Sequence, residues 1–197
     1  MKRVVAFDFD GTLTKKDSFI EFIKFSKGKA NFYLSLPYIG VVWYLSKLKL
    51  ISTHKAKEKI FSHFYKGLPK IKFKEYCNNF IEPINYMLRD DAKSTIEKHL
   101  KNQCKILIVS ASIENWIQPW AIANGIETVL ATQIEIDSRG NLTGRFSSLN
   151  CNKEEKVNRL LQKYPNIKEY YLTVYGDTNG DKALMKIADK VFYKTLS

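Results

Sequence analysis

The chain has 197 residues, 45% of them hydrophobic, with 9 Gly, 5 Pro and a formal net charge of +12. This length and composition suit one core of ordinary size, alone or with a smaller insert, and exclude a disordered, low-complexity or repeat protein. Three separated cysteines, Cys77, Cys104 and Cys151, make neither a CxxC pair nor a zinc spacing, which excludes a disulfide framework and points to reduced thiols in a cytoplasmic protein.

Only a short apolar run follows the basic N-terminus before Asp8, so no secretory signal is expected there. That run, RVVAFDF, predicts a buried strand, broken by Gly11 and Thr12. From Ser18 the apolar residues Phe19, Phe22, Ile23 and Phe25 adopt helical spacing. Residues 30–46 carry no charge, but the stretch is short for a membrane span and contains Asn31, Pro37 and Gly40. It predicts a cap helix broken near Pro37, or an interfacial segment with Tyr33, Tyr38, Trp43 and Tyr44 at headgroup level. STHKAKEKIFSHFYKGLP is a further helix, capped by Ser52 or Thr53 and stopped at Gly67 to Pro69. KIKFKEYCNNFIEPINYML and DDAKSTIEKHLKNQ continue the helical pattern.

At CKILIVS the period changes to that of a second buried strand, running into Ser110, where the chain is expected to turn into a helix. ENWIQPWAIANG is helical; TVLATQIEID, the turn SRGN and LTGRF form a strand and hairpin. KEEKVNRLLQKY is a helix, EYYLTVYGD a strand ending at Asp177, DKALMKIA a short helix and KVFYK a closing strand. The alternation of strand and helix after a helical insert predicts an α/β fold with a Rossmann-like parallel sheet. Ligands of such sheets bind at the carboxyl ends of the strands, so Asp8, Asp10, Ser110 and Asp177 should converge on one crevice.

Asp8 and Asp10 would point the same way from an extended chain. With Asp177 they make a hard-oxygen site suited to Mg²⁺. The pair also permits a division of labour, one acid attacking as a nucleophile and the other exchanging protons. With the Ser110 hydroxyl and the Lys156 charge, this set describes phosphoryl transfer. A calcium loop fails on spacing, because neither DFDG nor DTNGD carries the required ligands.

The segments DFDGTLT, ILIVSAS, CNKEEKV and YGDTNGDKALM, in this order, resemble the four motifs of the haloacid dehalogenase-like (HAD) phosphatases, and the likeness spans essentially the whole chain. The helical insert resembles the cap of the phosphoserine phosphatase-like branch, subfamily IB, and its STHKAKEKIFSHFYKGLP stretch resembles a group that includes phosphatidylglycerophosphatase C-like proteins. The resemblance implies a HAD core in residues 1–14 and 85–197 and a cap in 15–84, inserted between motifs one and two. It implies Asp8 as a nucleophile forming an aspartyl-phosphate and Asp10 as the proton donor to the leaving alcohol. It further implies Ser110, Lys156, Gly11 and Thr12 around the phosphoryl group, Mg²⁺ held by Asp8, the Asp10 carbonyl and Asp177, and Asp181 in support. Lys153 stands where related sequences usually carry Gly.

Asp17 falls where phosphoserine phosphatases place a cap acid facing the substrate, and it also suits a helix N-cap. Those enzymes use a cap arginine, and residues 15–84 contain none. From Lys15 to Glu82 there are 14 Lys against 5 acids, a balance of +9, and 14 of the chain's 26 aromatic residues. The expected function is a Mg²⁺-dependent phosphomonoester hydrolase acting on a small phosphomonoester or a phosphatidylglycerophosphate-like lipid head group. Peripheral contact with the inner membrane surface through the basic, aromatic cap is expected, and nucleic acid is not. Phosphoserine phosphatase and phosphomutase are the nearer alternatives; a non-catalytic binder of anionic membrane or nucleic acid is the distant one.

Overall fold

A computed structural model describes residues 2–196. Strands β1 (Lys2–Phe7), β2 (Lys105–Ile113), β3 (Thr128–Thr132), β6 (Tyr170–Gly176) and β7 (Lys190–Tyr193) form one parallel sheet in the order β3-β2-β1-β6-β7. Alternation along β1 divides the core. Val4 and Ala6 face one apolar layer with Leu107, Val109, Leu160 and Leu184, while Val5 and Phe7 face the other with Ile106, Ile108 and Trp120. Helices α9 (Glu154–Lys163) and α10 (Lys182–Met185) cover the first face. Helices α7 (Ala92–Lys101) and α8 (Glu114–Ala123) cover the second. The α/β architecture expected from the alternation is therefore present.

Six helices lie between β1 and α7: α1 (Ser18–Lys27), α2 (Lys29–Leu34), α3 (Leu36–Lys47), α4 (Thr53–Tyr65), α5 (Lys70–Asn79) and α6 (Ile81–Met87). The uncharged stretch is split between α2 and α3 at Ser35, directly before Leu36 and Pro37, because a proline has no N–H to continue the helix. Among the described residues no helix is long and apolar enough to cross a membrane. Entry and exit of the insert run side by side: Thr14 bridges Leu88, Lys15 N–H donates to Met87 O (2.6 Å), and Arg89 N–H donates to Leu13 O (2.9 Å). Phe22 stacks on Trp116 of α8 with ring centroids 4.5 Å apart, so the insert shares its apolar core with the sheet's helices.

Two expectations change. TVLATQIEID is not one strand: β3 ends at Thr132, and β4 (Ile134–Ile136) pairs with β5 (Leu142–Phe146) in a separate ribbon. That ribbon lies against the insert. Leu142 exchanges backbone bonds with Gly67 and Leu68, and Phe146 N–H donates to Glu58 Oε2 at 2.9 Å. Gly144 (φ +83) is required there, since a β-carbon would lie 2.9 Å from Ser62 Cα on α4. Second, β2 does not end at Ser110. It runs to Ile113 with a register irregularity after Ser110, and α8 starts only at Glu114. Ser110 is therefore strand backbone at a bulge and not a helix N-terminus, and the adjacent Ser112 N–H is already donated to Ser110 Oγ (3.0 Å).

Candidate active site

Strand register assembles the site. Phe7 is level with Ile108 on one side and Tyr175 on the other, so Asp8, Ser110 and Asp177 all emerge at the carboxyl edge of neighbouring strands. Asp8 is buried and held by Asp8 N–H to Tyr175 O at 2.9 Å. From α9, the Lys156 ammonium, 2% exposed, donates to Asp8 Oδ1 at 2.5 Å and to Asp181 Oδ1 at 2.6 Å. The other Asp181 oxygen accepts from Asp177 N–H, Thr178 N–H and the Thr178 hydroxyl at 3.0–3.2 Å. Both Asp181 oxygens are thus engaged, one of them by Lys156.

The Thr12 hydroxyl lies 3.4 Å from Asp8 Oδ2 and 3.2 Å from Asp177 Oδ1, between the two carboxylates. Carboxylate oxygens of Asp8, Asp177 and Asp181 fall within 4.8 Å of one another. Gly11 (φ +85) lets the loop pass Asp177, whose carboxylate a β-carbon at this position would strike. Behind the loop, Arg89 Nε and Nη2 both donate to Gly11 O, at 3.0 and 2.8 Å. Sequence reasoning missed Arg89; nothing in its local pattern marks it, because the contact depends on the insert's exit returning beside its entry.

Asp10 faces elsewhere. Its Oδ1 accepts from Ser18 N–H at the start of α1 (2.7 Å), on the insert side of the crevice. The two acids of DFD therefore serve different neighbours. Burial is the main cause that raises both: Asp8 rises to about 7 against the pull of Lys156, and Asp10 to about 6, with Asp17 adding a like charge. Burial and the Asp181 charge raise Asp177 as well, whereas Lys156 and the Thr178 donors hold Asp181 below its ordinary value against burial. Lys156 is driven further toward its charged form, because the two carboxylates outweigh its desolvation.

Asp17 caps α1, accepting from Phe19 N–H (2.9 Å) and Ile20 N–H (3.1 Å) through Oδ1. Across the crevice α4 contributes Lys57, which the motif search also missed. Its ammonium donates to Ala111 O at 2.9 Å and sits 5.0 Å from the Phe19 ring centre. Burial lowers its pKa, against the attraction of Asp17, Asp10 and Asp8. Its only trace in the sequence is its place in the lysine-rich run on α4, which does not single it out.

Comparison with known proteins gives a consistent picture. A family profile described as haloacid dehalogenase-like hydrolase matches residues 5–186. Protein CicA of Caulobacter vibrioides is 31% identical, the alignment covering 97% of this chain and 85% of that protein. A structure of a protein of unknown function from Bordetella pertussis Tohama I superimposes with a TM-score of 0.82 at 19% identity, over 97% of this chain and 89% of that one. Phosphoserine phosphatase in its apo form gives a TM-score of 0.67 at 19% identity, over 98% and 86%. With the profile spanning all four motifs and the fold matching, this chain belongs to the haloacid dehalogenase-like hydrolases.

Proposed function

We propose that this protein is a Mg²⁺-dependent phosphomonoester hydrolase that works through an aspartyl-phosphate on Asp8. The observation that carries the reading is the split of the two acids: Asp8 is fixed by Lys156, while Asp10 is turned toward the insert. Oδ2 of Asp8, the oxygen that Lys156 leaves free, attacks phosphorus and displaces the alkoxide, which takes its proton from the Asp10 carboxyl. Burial raises Asp10 to about 6, within reach of proton exchange near neutrality, and a cation beside Asp8 would favour the ionised form that the attack requires. The Asp10 carboxylate then takes a proton from water as the water attacks the phosphorus of the acyl phosphate. Phosphate leaves and Asp8 is restored. Lys156 stays charged beside the reacting oxygens, and the Gly11–Thr12 loop and Ser110 are assigned to the phosphoryl group.

The donor set fits Mg²⁺. Asp8 and Asp177 are hard oxygen donors, their neutral forms are favoured by burial, and a cation would relieve that cost. We assign the ion to Asp8, Asp177 and the Asp10 carbonyl; when bound it supplies positive charge to the carboxylates and phosphoryl oxygens. The test is hydrolysis of 4-nitrophenyl phosphate with Mg²⁺. Activity should vanish with EDTA and return with excess Mg²⁺, and a rate indifferent to chelation would overturn the metal assignment.

The division into a core (residues 1–14 and 85–197) and a cap (15–84) is part of this reading, and the paired chain entry and exit support it. A peripheral membrane role for a cytoplasmic protein is favoured by one observation. Tyr33, Leu34, Val41, Trp43, Tyr44, Leu48 and Leu50 are all exposed on or just after α2 and α3, beside Lys47 and Lys49. Sedimentation with anionic vesicles at low salt checks it; protein left wholly in the supernatant would count against it.

A further inference from the structure

A cavity of about 180 Å³ adjoins the catalytic crevice under the insert. Its inner end is formed by Asp17, Lys57, Ala111 and Asn152, and its walls are apolar side chains from four helices, among them Ile23 of α1, Phe32 of α2, Ile39 and Trp43 of α3 and Ile60 of α4. Ala111 follows Ser110 on β2, and the Lys57 ammonium interacts with Asp8 and Asp10 as well as Asp17. The cavity therefore starts where the alcohol side of a phosphomonoester would leave the phosphoryl site.

Each of its two charged residues already makes a bond, and Thr53, Asn150 and Asn152 are the other polar residues of the lining. Oδ1 of Asp17 serves two backbone N–H groups of α1, and Lys57 donates to Ala111 O. Beyond these polar residues the wall is apolar, and an unpaired polar group placed there is penalised. A dry apolar cavity of roughly 150 Å³ is known to accept benzene, so this volume suits a ring or about six carbons. At the outer end Trp43, 41% exposed, leads onto the apolar surface of α3, where Tyr44 and Leu48 are exposed, so a longer chain has an exit.

We infer that the substrate is a phosphomonoester whose alcohol carries an apolar group, an aryl ring or an alkyl chain, seated in this cavity. The inference rests on the phosphatase reading and specifies which esters the site prefers. It is tested with Mg²⁺-supplemented enzyme on methyl, propyl, hexyl and decyl phosphate, benzyl phosphate and O-phosphoserine. kcat/KM should rise ~4-fold per added methylene up to about six carbons and then level off. Benzyl phosphate should exceed O-phosphoserine by at least ~10-fold. Trp43→Ser, at an exposed position that does not threaten folding, should reduce the hexyl-to-methyl ratio by about fourfold, one methylene's worth of contact. Ile39→Ser should reduce it in the same direction. A flat series, or O-phosphoserine as the better substrate, would overturn the inference while leaving the phosphatase reading intact.

If no ester is hydrolysed the phosphatase reading fails, and calorimetric titration with methyl-, propyl- and hexylphosphonate decides the cavity separately. Affinity rising with chain length supports it, and equal affinities refute it. The same apolar phosphate chemistry occurs in free metabolites and in lipids. Hexyl phosphate in solution and phosphatidic acid in vesicles separate these sources by which is turned over faster, and turnover of neither above that of methyl phosphate would overturn the inference.

Discussion

At the carboxyl edge of the sheet, Asp8, Lys156, Asp181 and Thr178 are linked through bonds of 2.5–3.0 Å, and almost every polar atom has an assigned partner. Under the insert, Ile23, Phe32, Ile39 and Trp43 enclose space with apolar surface, and Lys57 and Asp17 stand at its inner end. On the proposed mechanism the first region depends on residue identity, because an attacking carboxylate and its charged support have few substitutes. The second depends on shape and apolar character, for which many side chains serve. Rate and selectivity should therefore respond to different mutations.

Changes at the charged edge test this contrast most severely. Asp8→Asn keeps the size of the side chain but removes the attacking group, and should lower 4-nitrophenyl phosphate hydrolysis by roughly 10⁴-fold or more, read from initial rates alongside an unchanged circular dichroism spectrum. Asp10→Asn removes only proton exchange, and a loss of about 10²–10⁴-fold in kcat is expected. If it matched Asp8→Asn with an activated aryl ester that needs little proton donation, the division of labour would be wrong.

On the insert side the expected effects are on stability. Gly144→Ala forces a β-carbon against Ser62 of α4 at a positive φ, and should cost about 1–3 kcal/mol in urea denaturation. Glu58 ties α4 to β5 by accepting from Phe146 N–H, and it also accepts from Lys55 on its own helix. These two donors hold its carboxyl below its ordinary value although burial works the other way. Its stabilisation is then present above the unfolded-state pKa and fades as pH falls through the lower folded one. Glu58→Gln should cost about 1 kcal/mol at pH 7, and wild type and variant should converge as the pH drops below ~4. A gap that widened with acid would contradict this assignment.

One change should have the opposite sign. Lys153, at φ +53 and ψ −124, holds a backbone conformation that L-residues rarely adopt. Lys153→Gly should raise stability by ~1 kcal/mol, seen as a higher Tm, without moving Lys156.

The contrast also governs what was readable in the sequence. The convergence of Asp8, Asp177 and Lys156 on one edge of the sheet was legible because the proposed chemistry restricts both residue type and position. The place of Asp181 followed from the motif, although its saturation by Lys156 and Thr178 required the fold. Lys57 and Arg89 were not legible: each acts across a long sequence separation, on Ala111 O and Gly11 O, and a lysine among lysines carries no local mark. Asp17 was read with two roles open, and the structure shows its Oδ1 committed to the cap of α1. The α3 break followed from Pro37. The splitting of TVLATQIEID did not, since a run of β-formers gives no sign of which partner each half will choose.

Entry and exit of the insert form a short antiparallel pair, and Phe22 of the insert stacks on Trp116 of α8. Topology alone would let residues 15–84 be cut out and the ends rejoined by a tight turn. The shared aromatic layer works against it, because excision would leave the fully buried Trp116, now covered by Phe19 and Phe22, facing water. Heating should therefore melt the whole chain in a single cooperative step, with equal calorimetric and van't Hoff enthalpies. For anyone recombining such enzymes, the unit of exchange is the insert together with the face of α8 on which it rests.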